Sequence, residues 1–359
     1  MTPTDFSSSD AVASWLDAVL QNPAIIAIQM RERYRPVTLS PEDPAVVFPP
    51  TYAPKEKNAK SNYQIDTLPN GRSVVTIDSV GSQANRMERV FMNPDNCDLV
   101  PQLTVQFKQP NAEPVEKNLL ELSHRVADAL VRYADDTLSA PLCQAIHAYQ
   151  GGDAGPLARW APTSLVFGFW DSRASLVKVP RLLESVMRAW DVTPLTRSSQ
   201  FIPAVRVKHL DILLSLTDKE LQDKGLKDTP ATGSPGGVQL NNGSFVHRDL
   251  LINLEVLRTL HARPIDGDSD PTPTLHRYLL ALALIAAQTP IIYLRQGTLL
   301  RRHDRSLGLA LTDNDSKLLE TLPSLETLRT IARACRPSFG PLPDSIKARF
   351  EASKAEKTT

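Results

Sequence analysis

Residues 24–34 read Ala-Ile-Ile-Ala-Ile-Gln-Met-Arg-Glu-Arg-Tyr, and the second half of this stretch has two faces. One parity, continued by the next residue, is polar and cationic: Gln29, Arg31, Arg33 and Arg35. The other is apolar: Ile28, Met30 and Tyr34. Because successive residues of a strand point to opposite sides, the stretch predicts a β-strand with one buried side and one arginine-lined side. Such a sheet could bind an anionic partner, and the alternative is a solvated face whose arginines serve solubility.

Outward from this strand, the periodicity predicts alternating helices and strands. Helices are expected at residues 1–22, from about Ser82, and at Leu119–Leu138, Leu142–Tyr149, Pro180–Trp190, Leu250–Leu260 and Leu275–Gln288. Further strands are expected at Ser73–Asp78, Thr163–Trp170, Phe201–Leu210 and Pro290–Arg295. This order is typical of an α+β fold and is compatible with a ferredoxin-like, RRM-like core.

The domain organisation follows from the same pattern. We expect a single elaborated domain over 1–359, with a core built by 24–35, 71–92, 161–210 and 290–305. Proline in 36–70, and glycine with proline and asparagine in 217–246, predict two irregular insertions. A helical insertion is expected at 119–150.

Composition excludes several classes of protein. The 359 residues carry 40 Lys+Arg against 40 Asp+Glu, and 42% are hydrophobic, which suits a globular domain. No apolar run approaches the roughly 20 residues of a membrane span, and no secretory signal is visible, so we expect a cytoplasmic protein without a membrane partner. Cys97, Cys143 and Cys335 are odd in number and far apart, which argues against a zinc site or a disulfide scaffold.

Catalytic motifs are missing from the sequence. There is no phosphate-binding loop, no dinucleotide fingerprint, no metalloprotease His-Glu-x-x-His and no nucleophile elbow. His247-Arg248-Asp249 resembles the start of a kinase catalytic loop, but the asparagine and the glycine-rich loop that accompany it are absent. These absences favour a binding protein that uses no cofactor and no metal over an enzyme.

Local positive charge remains as the functional signal. Residues 291–305 hold four arginines and a single acid, Asp304. Arg86 and Arg89 lie three apart in the helix that begins near Ser82, so they share a face. The free N–H groups at a helix start favour phosphate. The alternative for each arginine is an ion pair with one of the 40 acids.

Particular strings make the reading more specific. They run in this order: Phe48-Pro-Pro-Thr-Tyr-Ala53, Ile77-Asp-Ser-Val-Gly-Ser-Gln-Ala-Asn-Arg-Met-Glu88, Ala161-Pro-Thr-Ser-Leu-Val-Phe-Gly-Phe-Trp-Asp-Ser-Arg173, Lys178-Val-Pro-Arg-Leu182, Ala189-Trp-Asp-Val192 and Leu195-Thr-Arg-Ser198. From about residue 24 to residue 305, the chain resembles the repeated backbone subunit of the type I-U (also called I-G) CRISPR Cascade complex, within the broad Cas-seven family.

The resemblance implies an RRM-like palm with an inserted helical finger and flexible thumb elements. It implies a non-catalytic subunit that polymerises along the CRISPR guide RNA (crRNA) and supports pairing of the guide with target DNA in antiviral defence. The implied partners are crRNA, target DNA, other copies of the chain, the large and guide-end-capping Cascade subunits, and a recruited helicase-nuclease.

The candidate RNA-binding residues combine both lines of reasoning. They are Arg31 and Arg33 on the strand, Ser82, Asn85, Arg86 and Arg89 at the helix, Arg173, Arg197 and Ser198 from the matched strings, and Arg295 and Arg301 from the basic turn. Three large aromatic residues are expected in the core instead: Trp160, Phe167 and Trp170. An ordinary RRM would offer stacking aromatics on its central strands, whereas 24–34 offers only Tyr34.

Two alternatives stay open. Related backbone subunits in other CRISPR types use a loop aspartate to cut bound target RNA, and Asp66, Asp78 and Asp228 are the acids that could do so here. The chain could also be an unrelated soluble α+β protein that binds a small molecule.

Overall fold

The computed structural model describes residue 6 and residues 8–38, 43–52, 63–108, 113–204, 216–241, 243–265, 267, 269–313, 316–341 and 345–356. Helices and strands alternate through these ranges, so the fold is mixed α+β, as the sequence predicts. Among the described residues, no helix combines the length and the apolar character that crossing a lipid bilayer would require.

The strands form one large sheet and three small ones. They are β1 Ile25–Pro36, β2 Val46–Val47, β3 Ile65–Thr67, β4 Ser73–Asp78, β5 Thr104–Phe107, β6 Val115–Asn118, β7 Phe169–Trp170, β8 Lys178–Val179, β9 Leu183–Trp190, β10 Val192–Phe201, β11 Thr229–Leu240, β12 Val246–Asn253, β13 Tyr293–Arg295, β14 Thr298–Leu311, β15 Ser316–Leu319 and β16 Lys347–Arg349. The large sheet has the order β13-β14-β1-β12-β9-β4-β3, with β15 paired to β14. The small sheets are β10-β11-β2, β16-β5-β6 and β7-β8.

The helices lie mainly behind the large sheet. They are α1 Ser9–Gln21, α2 Val80–Glu88, α3 Ala129–Arg132, α4 Ser139–Gln150, α5 Gly155–Trp160, α6 Pro162–Phe167, α7 Asp218–Asp223, α8 Leu254–Arg258, α9 Thr272–Gln288, α10 Leu325–Cys335 and α11 Ala352–Glu356. Helix α9 is buried almost throughout from Leu275 to Ala287, because α1 and α10 pack against it. The predictions of α1, α9, β1 and β4 are confirmed.

Strand β1 lies inside the large sheet and shows which face of the sheet is buried and which is exposed. Its apolar residues are buried on one side, while Gln29 and Arg31 are exposed on the other. It pairs antiparallel with β12 and with β14, in registers that place Arg31 opposite Asp249 and Ser306. The period-two pattern therefore sets both the strand and the side that faces solvent.

The predicted helix Leu119–Leu138 is wrong. The segment folds as two 3-10 turns, Leu119–Glu121 and Arg125–Ala127, followed by the single turn α3. Arg125 has a φ of 53°, which an α-helix does not allow. Asn118 and Asp128 accept hydrogen bonds from the backbone N–H groups of Leu120 and Leu130, so each starts a new short turn.

Two further predictions are wrong, because one predicted helix is a strand and one predicted strand is a helix. Residues 183–190 form a strand rather than a helix, with the inward Ser185 and Met187 alternating with outward residues. The prediction arose because Leu182, Leu183 and Val186 recur at helical spacing. Residues 162–167 form α6 rather than a strand: Pro162 occupies its first position and every residue is buried, so no polar face marks the helical period.

The remaining differences concern the second half of the chain. The predicted helix Leu250–Leu260 is wrong in its first part, where β12 continues to Asn253 before α8 begins. Within 217–246, strand β11 pairs antiparallel with β10. The predicted strand Phe201–Leu210 falls partly on β10, which ends at Phe201, and residues 205–215 lie outside the described residues.

Candidate nucleic-acid interface

The side of the large sheet that carries Gln29 and Arg31 is its open face. Strand β1 places Gln29, Arg31, Arg33 and Arg35 on this face, and each is exposed or half-buried. The opposite face packs on α2 and α9, since the buried Arg248 on β12 donates to Gln83 of α2 and to the Thr289 carbonyl after α9. The arginines therefore lie on the solvent-exposed face of a sheet whose other face is covered by helices.

Two of these arginines are paired yet remain accessible. Arg31 donates to the Asp249 carboxylate, and its side chain is still 56% exposed. Arg33 donates two hydrogen bonds to Asp304, and its side chain is 42% exposed. The hydrogen bond from Arg33 lowers the pKa of Asp304 to about 2, so this pair is ionised at neutral pH. Exposed pairs of this kind are weak, and a phosphate can compete for the guanidinium.

An aromatic ring organises the neighbouring end of the face. The guanidinium carbons of Arg33 and Arg35 lie 4.7 and 4.6 Å from the centroid of the Phe245 ring. His303 meets the same ring with centroids 4.9 Å apart. Burial, followed by the nearby Arg31 charge, lowers the pKa of His247, which keeps this histidine neutral at pH 7. Stacking on a ring holds the two guanidinium planes in place without consuming all of their N–H groups.

Two more arginines extend the positive charge across the sheet. Arg188 on β9 lies opposite His247, and Arg301 on β14 lies opposite Arg35. Neither forms an ion pair with any residue in the described parts of the chain. A groove of about 630 Å³ runs over the face, lined among others by Arg31, Arg188 and Glu184. The face is therefore predominantly cationic and open to solvent.

Two of the predicted residues of α2, Ser82 and Arg86, bond a buried carboxylate. Asp78, 1% exposed, accepts from the Ser82 hydroxyl at 2.8 Å and from the Arg86 Nε at 3.1 Å. Arg295 donates to the same Asp78 oxygen as Ser82, at 3.4 Å, and also to the Phe48 and Ile77 carbonyls, both at 2.9 Å. Burial lowers the pKa of Arg295. Three of the predicted RNA ligands thus hold the first turn of α2 against the β13–β14 hairpin.

The other predicted residues are dispersed. Asn85 donates to the Ser123 hydroxyl and accepts from Arg125 at 3.2 Å. Arg89, which follows the end of α2, is exposed, as is Arg173 in the loop between β7 and β8. Arg197 and Ser198 lie exposed on β10, where the Arg197 guanidinium is 5.7 Å from the Phe48 ring centroid. The open face therefore unites Arg31, Arg33 and Arg301, and the remaining candidates lie elsewhere.

A second charged network lies on the buried face of the large sheet, around Glu32 of β1. Glu32, 1% exposed, accepts from Arg248 at 3.1 Å, from Arg302 at 2.8 Å and from the Tyr34 hydroxyl at 2.7 Å. Burial, together with the Glu32 charge, raises the pKa of Tyr34, so the hydroxyl stays protonated as a donor. Arg248 is the central part of the tripeptide that resembled a kinase loop, and here it is a structural residue inside the sheet.

One comparison with known protein families finds a match. Residues 28–194 match the sequence model of the family described as CRISPR-associated protein GSU0053. This match confirms the resemblance to a CRISPR-associated protein family over these residues. The matched range includes β1 from Ile28 onward, α2 and β9, and so covers part of the open face and its support.

Other comparisons add little. The crystal structure of Thermofilum pendens Csc2 aligns at 10% sequence identity over 95% of this chain and 77% of that chain, with a TM-score of 0.26. A score this low does not establish a shared fold. No curated protein matches the chain.

The candidate residues chosen from the sequence omit several residues of the open face. Arg35 is not among the candidates, although it shares the parity of Arg31 and Arg33 and that signal identifies it. Arg188 was hidden because its segment was interpreted as a helix. Phe245 precedes β12, and its contact with two arginines of β1 depends on the pairing of distant strands, which the sequence does not reveal.

Proposed function

We propose that the chain is a non-catalytic backbone subunit of a type I CRISPR effector complex, which binds crRNA along the open face of its large sheet. The observation that carries this proposal is the coincidence of the family match over 28–194 with an exposed, arginine-bearing sheet face in the same range. In this role the subunit would act in the cytoplasm.

An RRM-like palm is supported by the strand order. Taken by position in the chain, β1, β9, β12 and β14 occupy the order β14-β1-β12-β9, and every neighbouring pair is antiparallel. This is the fourth-first-third-second order of a ferredoxin-like sheet. Helices α2 and α9 occur between the first and second and between the third and fourth of these strands, and both lie on the buried face. A single domain with a palm from 24–35, 71–92, 161–210 and 290–305 is part of the proposal.

The insertions would reach outward from this palm. The β10–β11 ribbon and the segment that contains β2 form one small sheet, so the 36–70 and 217–246 insertions meet there. In the proposed complex they act as finger and thumb, while the segment 119–150 supports the palm from the side. The neighbouring partners are other copies of the chain, the large and guide-end-capping subunits, target DNA and the recruited helicase-nuclease.

The chemistry of the face suits a ribose-phosphate chain. Arg31, Arg33 and Arg35 present N–H groups at alternate positions of one strand, and Arg301 extends the row on β14. Guanidinium groups bind phosphate oxygens in pairs without reading a base, so this surface would hold RNA of any sequence and leave base edges free for pairing. Sequence would then be read by the guide and not by the protein.

The nuclease alternative receives no support from Asp78, one of its three candidate acids. Asp78 is 1% exposed, and both of its carboxylate oxygens are engaged by side chains. An aspartate in that state cannot reach a scissile phosphate or a metal ion. Asp66 lies exposed on β3, and among the described residues it belongs to no group of three or more possible metal ligands.

Co-expression with a guide array tests the proposal directly. The purified chain should elute as RNA-containing assemblies larger than a monomer, and digestion with ribonuclease should disperse them. For the chain alone with single-stranded RNA, contacts to roughly three phosphates predict a slope of about −2 for log K against log salt. Elution as RNA-free monomer, together with no salt-dependent RNA binding, would contradict the proposal.

A further inference from the structure

We infer that the groove beside the β7–β8 hairpin is a second RNA contact, where one unpaired base stacks on Trp170. The inference rests on the proposed function, since it takes the RNA on the open face as the strand that supplies the base. It concerns a residue that the sequence predicted to be in the core.

Trp170 is the unexpected residue of this hairpin. Its neighbour Phe167 is fully buried, as predicted, and Trp160 is partly buried, but Trp170 is 60% exposed, so its core assignment is wrong. The reason is the strand alternation in β7, which points Phe169 inward and Trp170 outward. An exposed indole of this size offers a flat surface of the kind on which nucleic-acid bases stack.

Positive charge surrounds the indole. Lys178 lies directly opposite on β8, with its ammonium nitrogen 6.0 Å from the ring centroid. His124 and Arg181 line the same groove, which has a volume of about 410 Å³. Glu184 is the single carboxylate among the described lining residues. An aromatic platform flanked by basic side chains is complementary to a base with its phosphate, and not to a cationic or purely apolar ligand.

The walls of the groove are held by buried contacts. Arg125 has a side chain only 4% exposed, is paired with Glu88 at 2.8 Å, and donates to the Gly168 carbonyl at 3.2 Å. That bond ties the turn carrying His124 to the base of the hairpin. Gly168 has a φ of 69°, and a Cβ there would lie 2.7 Å from the Val179 carbonyl oxygen, so only glycine allows the two walls to meet this closely. The groove is formed before any ligand arrives.

The groove continues the proposed RNA surface. Glu184 on β9 lines both this groove and the one that runs over the open face past Arg31 and Arg188. A single strand that follows the arginines of the sheet can therefore leave its edge beside Trp170. A base at this point would stack on the indole while Lys178 or Arg181 contacts the adjoining phosphate.

Fluorescence anisotropy of the full chain with a labelled single-stranded uridine oligonucleotide tests the inference. Trp170→Ala should weaken binding about fivefold or more, because it removes one stacking contact. The slope of log K against log salt should stay that of wild type, since no phosphate contact is lost. Trp170→Phe should restore most of the affinity. Leu176→Ala is the matched control, because Leu176 is 72% exposed in the same hairpin but has no aromatic face.

The outcomes separate the two proposals. If wild type binds RNA and Trp170→Ala binds equally well, the stacking site is wrong and the open-face proposal stands. If Trp170→Ala and Leu176→Ala weaken binding alike, the hairpin contributes apolar area and no stacking, which also overturns the inference. If wild type binds no RNA, both proposals fail. A thermal unfolding curve for each variant confirms that the fold is retained.

Discussion

The two faces of strand β1 use the same charged residue types for opposite purposes. On the open face, Arg31 and Arg33 each meet one carboxylate at a site where both partners touch water. On the buried face, Arg248 is fully enclosed with Glu32, which also accepts from Arg302. A guanidinium that is desolvated must keep its partner, whereas a hydrated one can exchange it. Burial, and not the presence of an ion pair, therefore separates the structural arginines from those able to bind phosphate.

The largest effect is expected from the buried face. Arg248→Met leaves Glu32 with one fewer cation in a dry environment and should lower the free energy of unfolding by about 3–5 kcal/mol. Urea denaturation followed by circular dichroism measures the loss. Arg301→Met, an exposed arginine on β14, is the matched control and should leave the denaturation midpoint unchanged. Equal midpoints for the two variants would remove the distinction between the faces.

The second effect is a pH dependence of the free energy of unfolding that arises from Glu88, on the buried side of α2. Burial raises the pKa of Glu88 from 4.5 to about 7, although Arg125 beside it acts in the opposite direction. Between these values the unfolded chain has released a proton that the folded chain retains. The free energy of unfolding should therefore fall as the pH rises from 4.5 to 7 and then level off. In Glu88→Gln this part of the slope should vanish, and its persistence would contradict the assignment.

A smaller effect is expected where sequence and structure assign different roles to one residue. Arg86 was predicted to hold phosphate, yet it is bonded to the buried Asp78. Arg86→Ala should cost about 1–3 kcal/mol of stability, because it removes a charge-assisted bond from a buried carboxylate. It should leave the salt slope of RNA binding unaltered. Arg89→Ala provides the comparison, since Arg89 is exposed just beyond α2. A flattened salt slope in Arg86→Ala alone would restore the phosphate role.

The smallest effect on stability is expected on the open face. Arg33→Ala removes an exposed pair with Asp304, so the unfolding midpoint should not move. The same variant should reduce the salt slope of RNA binding by about 0.7, the contribution of one phosphate on a single strand. A large loss of stability without a change of slope would place Arg33 with the structural arginines instead.

The sequence predicts best where a single local pattern determines the outcome. Alternation in 24–34 gives both the strand and its arginine-lined side, because period two is a local property. The fate of Arg295 is different: its carboxylate partner Asp78 is 217 positions away in the chain, and only the assembled sheet brings them together. Arg188 shows a third case, in which the apolar residues of a strand happen to recur at helical spacing. When a strand is predicted as a helix, the prediction also assigns its residues to the wrong face, and site residues among them are not recognised.

Helix α9 has a consequence for how the protein is synthesised. Its apolar surface is covered from one end of the chain by α1 and from the other by α10, which follows it by several dozen residues. Until the ribosome has translated the chain as far as Cys335, the apolar surface of α9 that α10 will cover is exposed to solvent. Chaperone capture during that interval, or delivery of α10 as a separate peptide to a truncated chain, would show whether α10 is needed to complete the packing around α9.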